Sequence, residues 1–154
     1  MAVNSSERPT GQRDLLGLVG YNMKRAYMRI YQDFSQELLA FDLRQRTFSV
    51  LSLVIENPGI SQSDIARSLG IERSGTVVIV DELEQRDLIR RSAVKGDKRA
   101  YALRVTAAGR KLYALALKKV AAHEERMLEN LTAAERVQLN QLLQRIHLSD
   151  PERG

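Results

Sequence analysis

The sequence predicts a mainly α-helical chain carrying one small β-hairpin, with long helices at both ends. Three observations point there. Apolar residues recur at steps of three or four over long stretches near both termini. Residues 88–105 switch to two short strand-like runs around a turn-rich basic segment. The composition is aliphatic, with three prolines, no Trp and only 5% aromatic residues. Such a chain of Ala, Leu, Glu, Arg and Gln favours helix. At 154 residues it is long enough for one domain with a real core, or two small lobes sharing one.

Residues 1–11 are polar, contain Pro9 and Gly11, and are expected to form a flexible tail. A long helix over 12–40 follows from the spacing of Leu16, Val19, Met23, Ala26, Tyr27, Ile30, Phe34 and Leu38. These fill a broad arc of the helical wheel, wider than one packing partner can cover. Residues 45–56 form a second helix through Phe48, Leu51, Leu53, Val54 and Ile55, and Asn57-Pro58-Gly59 stops it. Ser61 begins a third helix, with Asp64 placed as in a capping box, and Gly70 ends it. A fourth helix covers 73–86. Two strands at 88–92 and 100–105 flank Val94-Lys95-Gly96-Asp97-Lys98-Arg99. Thr106 caps a helix running to about Asn130, and Thr132 with Glu135 opens a last one through Ile146.

The net charge is +5, which suits an anionic partner, nucleic acid above all, although a basic soluble protein would also have it. With no cysteine, disulfides, thiol redox sensing and cysteine nucleophiles are excluded, and a reducing cytoplasm is the expected location. No secretion signal is read in the polar first residues, and no apolar run reaches the roughly 20 residues of a membrane span. A phosphate-binding loop, a nucleophile–base pair and a metal-ligand spacing are all missing, so neither an enzyme nor a cofactor is expected. His123, beside Glu124 and Glu125, reads as part of a solvated helix face.

Residues 61–86 fit a helix-turn-helix. Ala66 is the small residue needed where two helices touch, and Gly70 tolerates the positive φ of the turn. Ile65, Leu69 and Ile71 flank them as core contacts, although an ordinary αα-hairpin would share the spacing. The N-terminal residues of the second helix would then meet base edges in the major groove. Arg73 can pair with guanine or phosphate, Ser74 and Thr76 can bond either, and Val77, Val80 and Leu83 are assigned to the core. Alone, Arg73 is also what a solvated first helical turn carries. Residues 86–104 add seven Arg and Lys against two Asp, a basic hairpin able to grip phosphates beside the reading helix. The fold is therefore expected to be a winged helix-turn-helix with long N- and C-terminal helices.

Asp97-Lys98-Arg99-Ala-Tyr-Ala-Leu103-Arg-Val-Thr106-Ala-Ala-Gly109 resembles the wing signature D-x-R-x₄-L-x-x-T-x-x-G of the MarR (multiple antibiotic resistance regulator) family. The preceding stretch from Asn57 to Arg91 resembles the helix-turn-helix of that family. The resemblance implies a homodimer in which helices 12–40 and 107–148 interlock while lobe 41–106 reads a half-site of a palindromic double-stranded operator. It implies DNA contacts from Ser61, Gln62, Arg73, Ser74, Thr76, Lys95, Lys98 and Arg99. Arg99 would enter the minor groove, oriented by Asp97.

The resemblance also implies a small anionic aromatic effector, bound between the dimer helices and the winged lobe, that releases DNA. On the wheel of helix 12–40, Tyr21, Arg25 and Arg29 align with Asn22 alongside, a surface able to hold a carboxylate or phosphates next to an aromatic ring. The same line lies opposite the apolar arc, where a solvated face is equally expected. Arg44 and Arg46 stand where the family more usually has small or polar residues, which favours an anion such as an aromatic acid or its acyl-coenzyme A thioester. Phe48 is placed near this cleft, as wall or as core. A constitutive DNA-binding or architectural protein is the competing reading.

Overall fold

The computed structural model describes residues 11–148, so all but the last residue of the expected tail lies outside it. The side chains of Lys98, Arg99 and Ala100 are also outside the described part. The order is α1 (Arg13–Leu16), α2 (Val19–Leu39), α3 (Gln45–Glu56), α4 (Gln62–Leu69), α5 (Arg73–Gln85), β1 (Ile89–Val94), β2 (Asp97–Val105), α6 (Ala107–Met127) and α7 (Ala133–His147).

The helix expected over 12–40 is divided. Leu18 is extended (φ −93°, ψ 122°), which separates α1 from α2. The Asn22 amide then donates to the carbonyls of Leu16 (2.8 Å) and Leu18 (2.9 Å), tying the two sides of the break together. Apolar spacing runs straight across the break, so periodicity alone reads one helix.

The winged lobe is built around one core. Val50, Leu51 and Val54 of α3, Ile65 of α4, Ile79, Val80 and Leu83 of α5, and Leu88, Ile89 and Leu103 of the hairpin segment pack together. Ser61 Oγ accepts from the Asp64 N–H (3.1 Å) and starts α4. Gly70 ends it in the left-handed region (φ 60°), where a Cβ would be strained. Ala66, nearly buried, accepts the Ile71 N–H through its carbonyl (3.0 Å), closing the turn between α4 and α5.

β1 and β2 pair antiparallel, with Ile89 opposite Val105 and a bulge between Ala93 and Val94. The segment before α4 joins the hairpin: Gly59 N–H donates to the Leu103 carbonyl (2.8 Å), and Leu103 N–H donates to that of Ile60 (3.0 Å). The wing is thereby tied to the helix-turn-helix by backbone as well as by core.

The wing signature has a structural logic at its C-terminal end. Leu103 is fully buried, and Thr106 Oγ1 caps α6 by accepting from Gly109 N–H (2.9 Å). The same hydroxyl lies 2.6 Å from the Asp87 carbonyl. Gly109 sits so close to the hairpin entry that a Cβ there would come within 2.0 Å of the Leu88 carbonyl oxygen.

Outside the lobe, α2 packs on α6, with Leu38, Leu43 and Ala116 in a second, smaller cluster. Helix α7 buries none of its residues. Val19, Met23, Met28, Leu39, Val137, Leu139, Leu142 and Ile146 are exposed. Among the described residues no helix is long and apolar enough to cross a membrane.

Candidate functional site

Two surfaces meet along α5. The first is its outer face. Arg73 and Ser74 are exposed in the first turn, and Val77, 40% exposed, continues that face one turn on. Thr76 is fully buried, and its hydroxyl donates to the Glu72 carbonyl within the helix (3.1 Å). Thr76 is thus corrected from base contact to core residue, and Val77 from core to surface. The run Val77-Val78-Ile79-Val80 is apolar on every face, so its phase cannot be read from hydrophobicity. Tertiary packing selects Thr76, Ile79, Val80 and Leu83 as the inward stripe. A valine beside Arg73 and Ser74 can contact a thymine methyl.

Ser61 and Gln62, expected at the DNA, are engaged within the lobe. Ser61 Oγ donates to Asp64 Oδ2 (2.7 Å), and that bond, ahead of the Arg67 charge, holds the Asp64 carboxyl below its ordinary pKa. With its amide oriented to satisfy both ends, Gln62 Oε1 accepts from Arg91 Nε (3.0 Å). Arg91 also pairs with Asp81 and, at 2.5 Å, with Glu84 Oε2. Burial opposes the Arg91 charge, but these two carboxylates outweigh it and raise its pKa.

Not all seven hairpin cations face outward. Arg91 is locked against α5, and Arg86 donates to the carbonyls of Asp42 (2.6 Å) and Phe41 (3.0 Å). Lys95 is exposed at the hairpin turn, next to Gly96 with φ 91°. Asp97 is exposed and opens β2.

The second surface is a cleft of about 480 Å³ between α2, the start of α3 and the opposite flank of α5. Tyr27 and Tyr31 of α2 form one wall, with ring centroids 5.5 Å apart. Arg44 and Arg46 stand at its rim, and Gly75, Val78 and Ile79 line it from α5. Arg44 Nη2 pairs with Glu82 Oε2 at 2.5 Å, joining the start of α3 to α5. Tyr27 Oη donates to Gln45 Oε1 (3.3 Å).

Of the residues expected at an effector site, the structure brings Arg44 and Arg46 to this cleft. Tyr21, Asn22, Arg25 and Arg29 do not line it. Arg25 and Arg29 are exposed on the side of α2 opposite Tyr27 and Tyr31, because two residues advance a helix by about 200°. Asn22 instead caps the break before α2. Phe48 packs on Tyr113 (5.1 Å, stacked) and edge-on to Phe34 (6.0 Å), a core role. Tyr27 was legible only as part of an apolar arc, and Tyr31 carried no signal of its own. Their i, i+4 spacing is the feature that could have marked them.

Comparison with known proteins decides the family. Residues 41–100 match the model of the MarR family. The transcriptional repressor CouR, bound to a 23-mer DNA duplex, superimposes with a TM-score of 0.84 and 39% identity, covering 92% of this chain and 99% of that one. The chain belongs to the MarR family. As a MarR-family protein it is a winged helix-turn-helix, DNA-binding transcriptional regulator. CouR from Rhodococcus jostii RHA1, bound to p-coumaroyl-CoA, is similar at 30% identity and a TM-score of 0.78, over 87% of this chain and 94% of that one. The HTH-type transcriptional repressor NicR of Pseudomonas putida is 26% identical over 141 residues, 92% of this MarR-family chain and 89% of the relative.

Proposed function

We propose that the protein is a homodimeric repressor that binds a palindromic operator and releases it when an aromatic acid, or the coenzyme A thioester of one, enters the α2–α3–α5 cleft. The observation that carries this is the shared helix. Arg73, Ser74 and Val77 face out from α5, while Gly75, Val78 and Ile79 of the same helix line the cleft. An occupant pressing on Val78 or competing for the Arg44–Glu82 pair acts directly on the reading element. A dimer reads half-sites about 34–36 Å apart, so a small tilt of α5 in each lobe loses contacts on both sides.

The chemistry of the cleft supports the ligand class. Stacked tyrosines offer an aromatic face, and two arginines at the rim suit a carboxylate or phosphates. The p-coumaroyl-CoA complex of a similar repressor is consistent with it. Homodimerisation is supported by the uncovered apolar residues of α2 and α7. In the lobe, Arg73 and Ser74 would read bases, and Lys95, Lys98 and Arg99 would hold phosphates or the minor groove.

The test is to screen aromatic acids and their coenzyme A thioesters for thermal stabilisation, since a tight ligand raises stability as ln(1 + [L]/Kd). A ligand found in this way should dissociate the protein from its operator, and Arg46→Ala, which leaves the Arg44–Glu82 pair in place, should weaken that ligand while leaving DNA binding intact. DNA affinity indifferent to every stabilising ligand would instead mark a constitutive DNA-binding protein.

A further inference from the structure

Behind the tyrosine wall lies a second, smaller cavity of about 200 Å³. It shares Tyr27, Tyr31 and Gln45 with the arginine-rimmed cleft, so the two adjoin through those side chains. Its sides are apolar, from Ile30, Phe34 and Val120. Its one fully buried polar lining residue is His123, which is 1% exposed rather than part of the solvated face expected from its acidic neighbours.

The histidine is firmly oriented. Nδ1 lies 2.6 Å from Asp33 Oδ2, and the ring is tilted against Phe34 with centroids 5.7 Å apart. Asp33 is itself held by Arg126 (3.0 Å), which also pairs with Glu37 (2.6 Å). A carboxylate can only accept, so Nδ1 carries the proton, and in the tautomer this fixes Nε2 is the acceptor atom. That Nε2 is buried and has no partner among the described residues. Asp33 does not line the cavity, whereas His123 does. A buried acceptor without a donor is costly, and such a site discriminates strongly for a ligand that supplies one.

Resting on the effector-cleft reading above, we propose that His123 recognises a hydroxyl group on the effector's aromatic ring. The ring would lie in the inner cavity with its hydroxyl donating to Nε2, and its anionic end would reach out to Arg44 and Arg46. Glu124 also lines the inner cavity, which disfavours a carboxylate there and favours a neutral hydroxyl. The inner site thus sets specificity, and the rim supplies charge attraction.

The test uses three thioesters that differ at one ring position: p-coumaroyl-CoA, cinnamoyl-CoA without the hydroxyl, and p-methoxycinnamoyl-CoA, which keeps the oxygen but cannot donate. Calorimetric titration of the full-length protein is expected to give about tenfold tighter binding of p-coumaroyl-CoA than of either analogue. His123→Leu should abolish that preference, and His123→Gln, which retains an acceptor, should keep part of it. Equal binding of all three by the unmodified protein, or a preference surviving in His123→Leu, would overturn the role of His123 and leave the effector cleft standing. Binding of none would overturn the role of His123 and, if no free aromatic acid stabilises the protein either, the effector cleft with it. The three-ligand comparison on the unmodified protein decides the matter even if the leucine variant fails to fold.

Discussion

At the scale of single residues, Gly109 shows how tightly the wing signature is bound to geometry. A Cβ at this position would sit 2.0 Å from the Leu88 carbonyl oxygen, a backbone atom that cannot turn aside. Gly109→Ala should therefore cost about 3 kcal/mol in urea unfolding, at the upper end for overpacking, because α6 must move off the hairpin. Arg73 lies at the opposite extreme, exposed and outside the packing. Arg73→Ala should leave stability unchanged and weaken operator binding by about 1–3 kcal/mol, measured by anisotropy. Ser61, Gly70 and Thr106 were legible because capping and left-handed turns demand particular residue types, Ala66 as the small residue where two helices touch, and Gly109 only through the wing signature. Thr76 and Val77 were not, since four consecutive apolar residues hide the helical phase. His123 escaped for a related reason: acidic neighbours in sequence say nothing about the helix packed across from it.

At the scale of elements, two polar clamps hold the architecture. Arg91 joins β1 to α5 through Asp81 and Glu84 and to α4 through Gln62. Arg91→Met should destabilise the lobe by about 1–2 kcal/mol, discounted because both carboxylates keep partial solvent exposure. Chemical denaturation checks the magnitude. The second clamp joins α2 to α6. The His123 hydrogen bond, followed by Arg126, holds the Asp33 carboxyl below its ordinary value of 3.8. A lowered folded pKa means the contribution is complete above that ordinary value and is lost as pH falls through the folded one. Melting temperature should accordingly fall on acidification below about pH 4, and Asp33→Asn should flatten that limb. A limb unchanged in the variant would remove Asp33 from the clamp. The elements themselves were readable from periodicity and caps. The break at Leu18 was not, because the apolar spacing continues through it and only backbone geometry reveals it.

At the scale of the whole molecule, the chain divides labour between a compact lobe and helices with uncovered apolar surface. Exposed Val137, Leu139, Leu142 and Ile146 on α7 would be removed from water in the proposed homodimer. Sedimentation should show a dimer, and Leu142→Glu with Ile146→Glu should dissociate it and lower operator affinity with it. Helix α5 presents Arg73, Ser74 and Val77 on one side and lines the tyrosine–arginine cleft on the other, which is the physical basis of the proposed effector control of DNA binding. The most direct measurement is anisotropy of a labelled operator, selected by the protein from a random duplex pool, titrated with and without saturating p-coumaroyl-CoA. Tight, sequence-specific binding that collapses toward non-specific affinity with the thioester is the expected result. A thioester that binds the protein yet leaves the operator isotherm unmoved would contradict it.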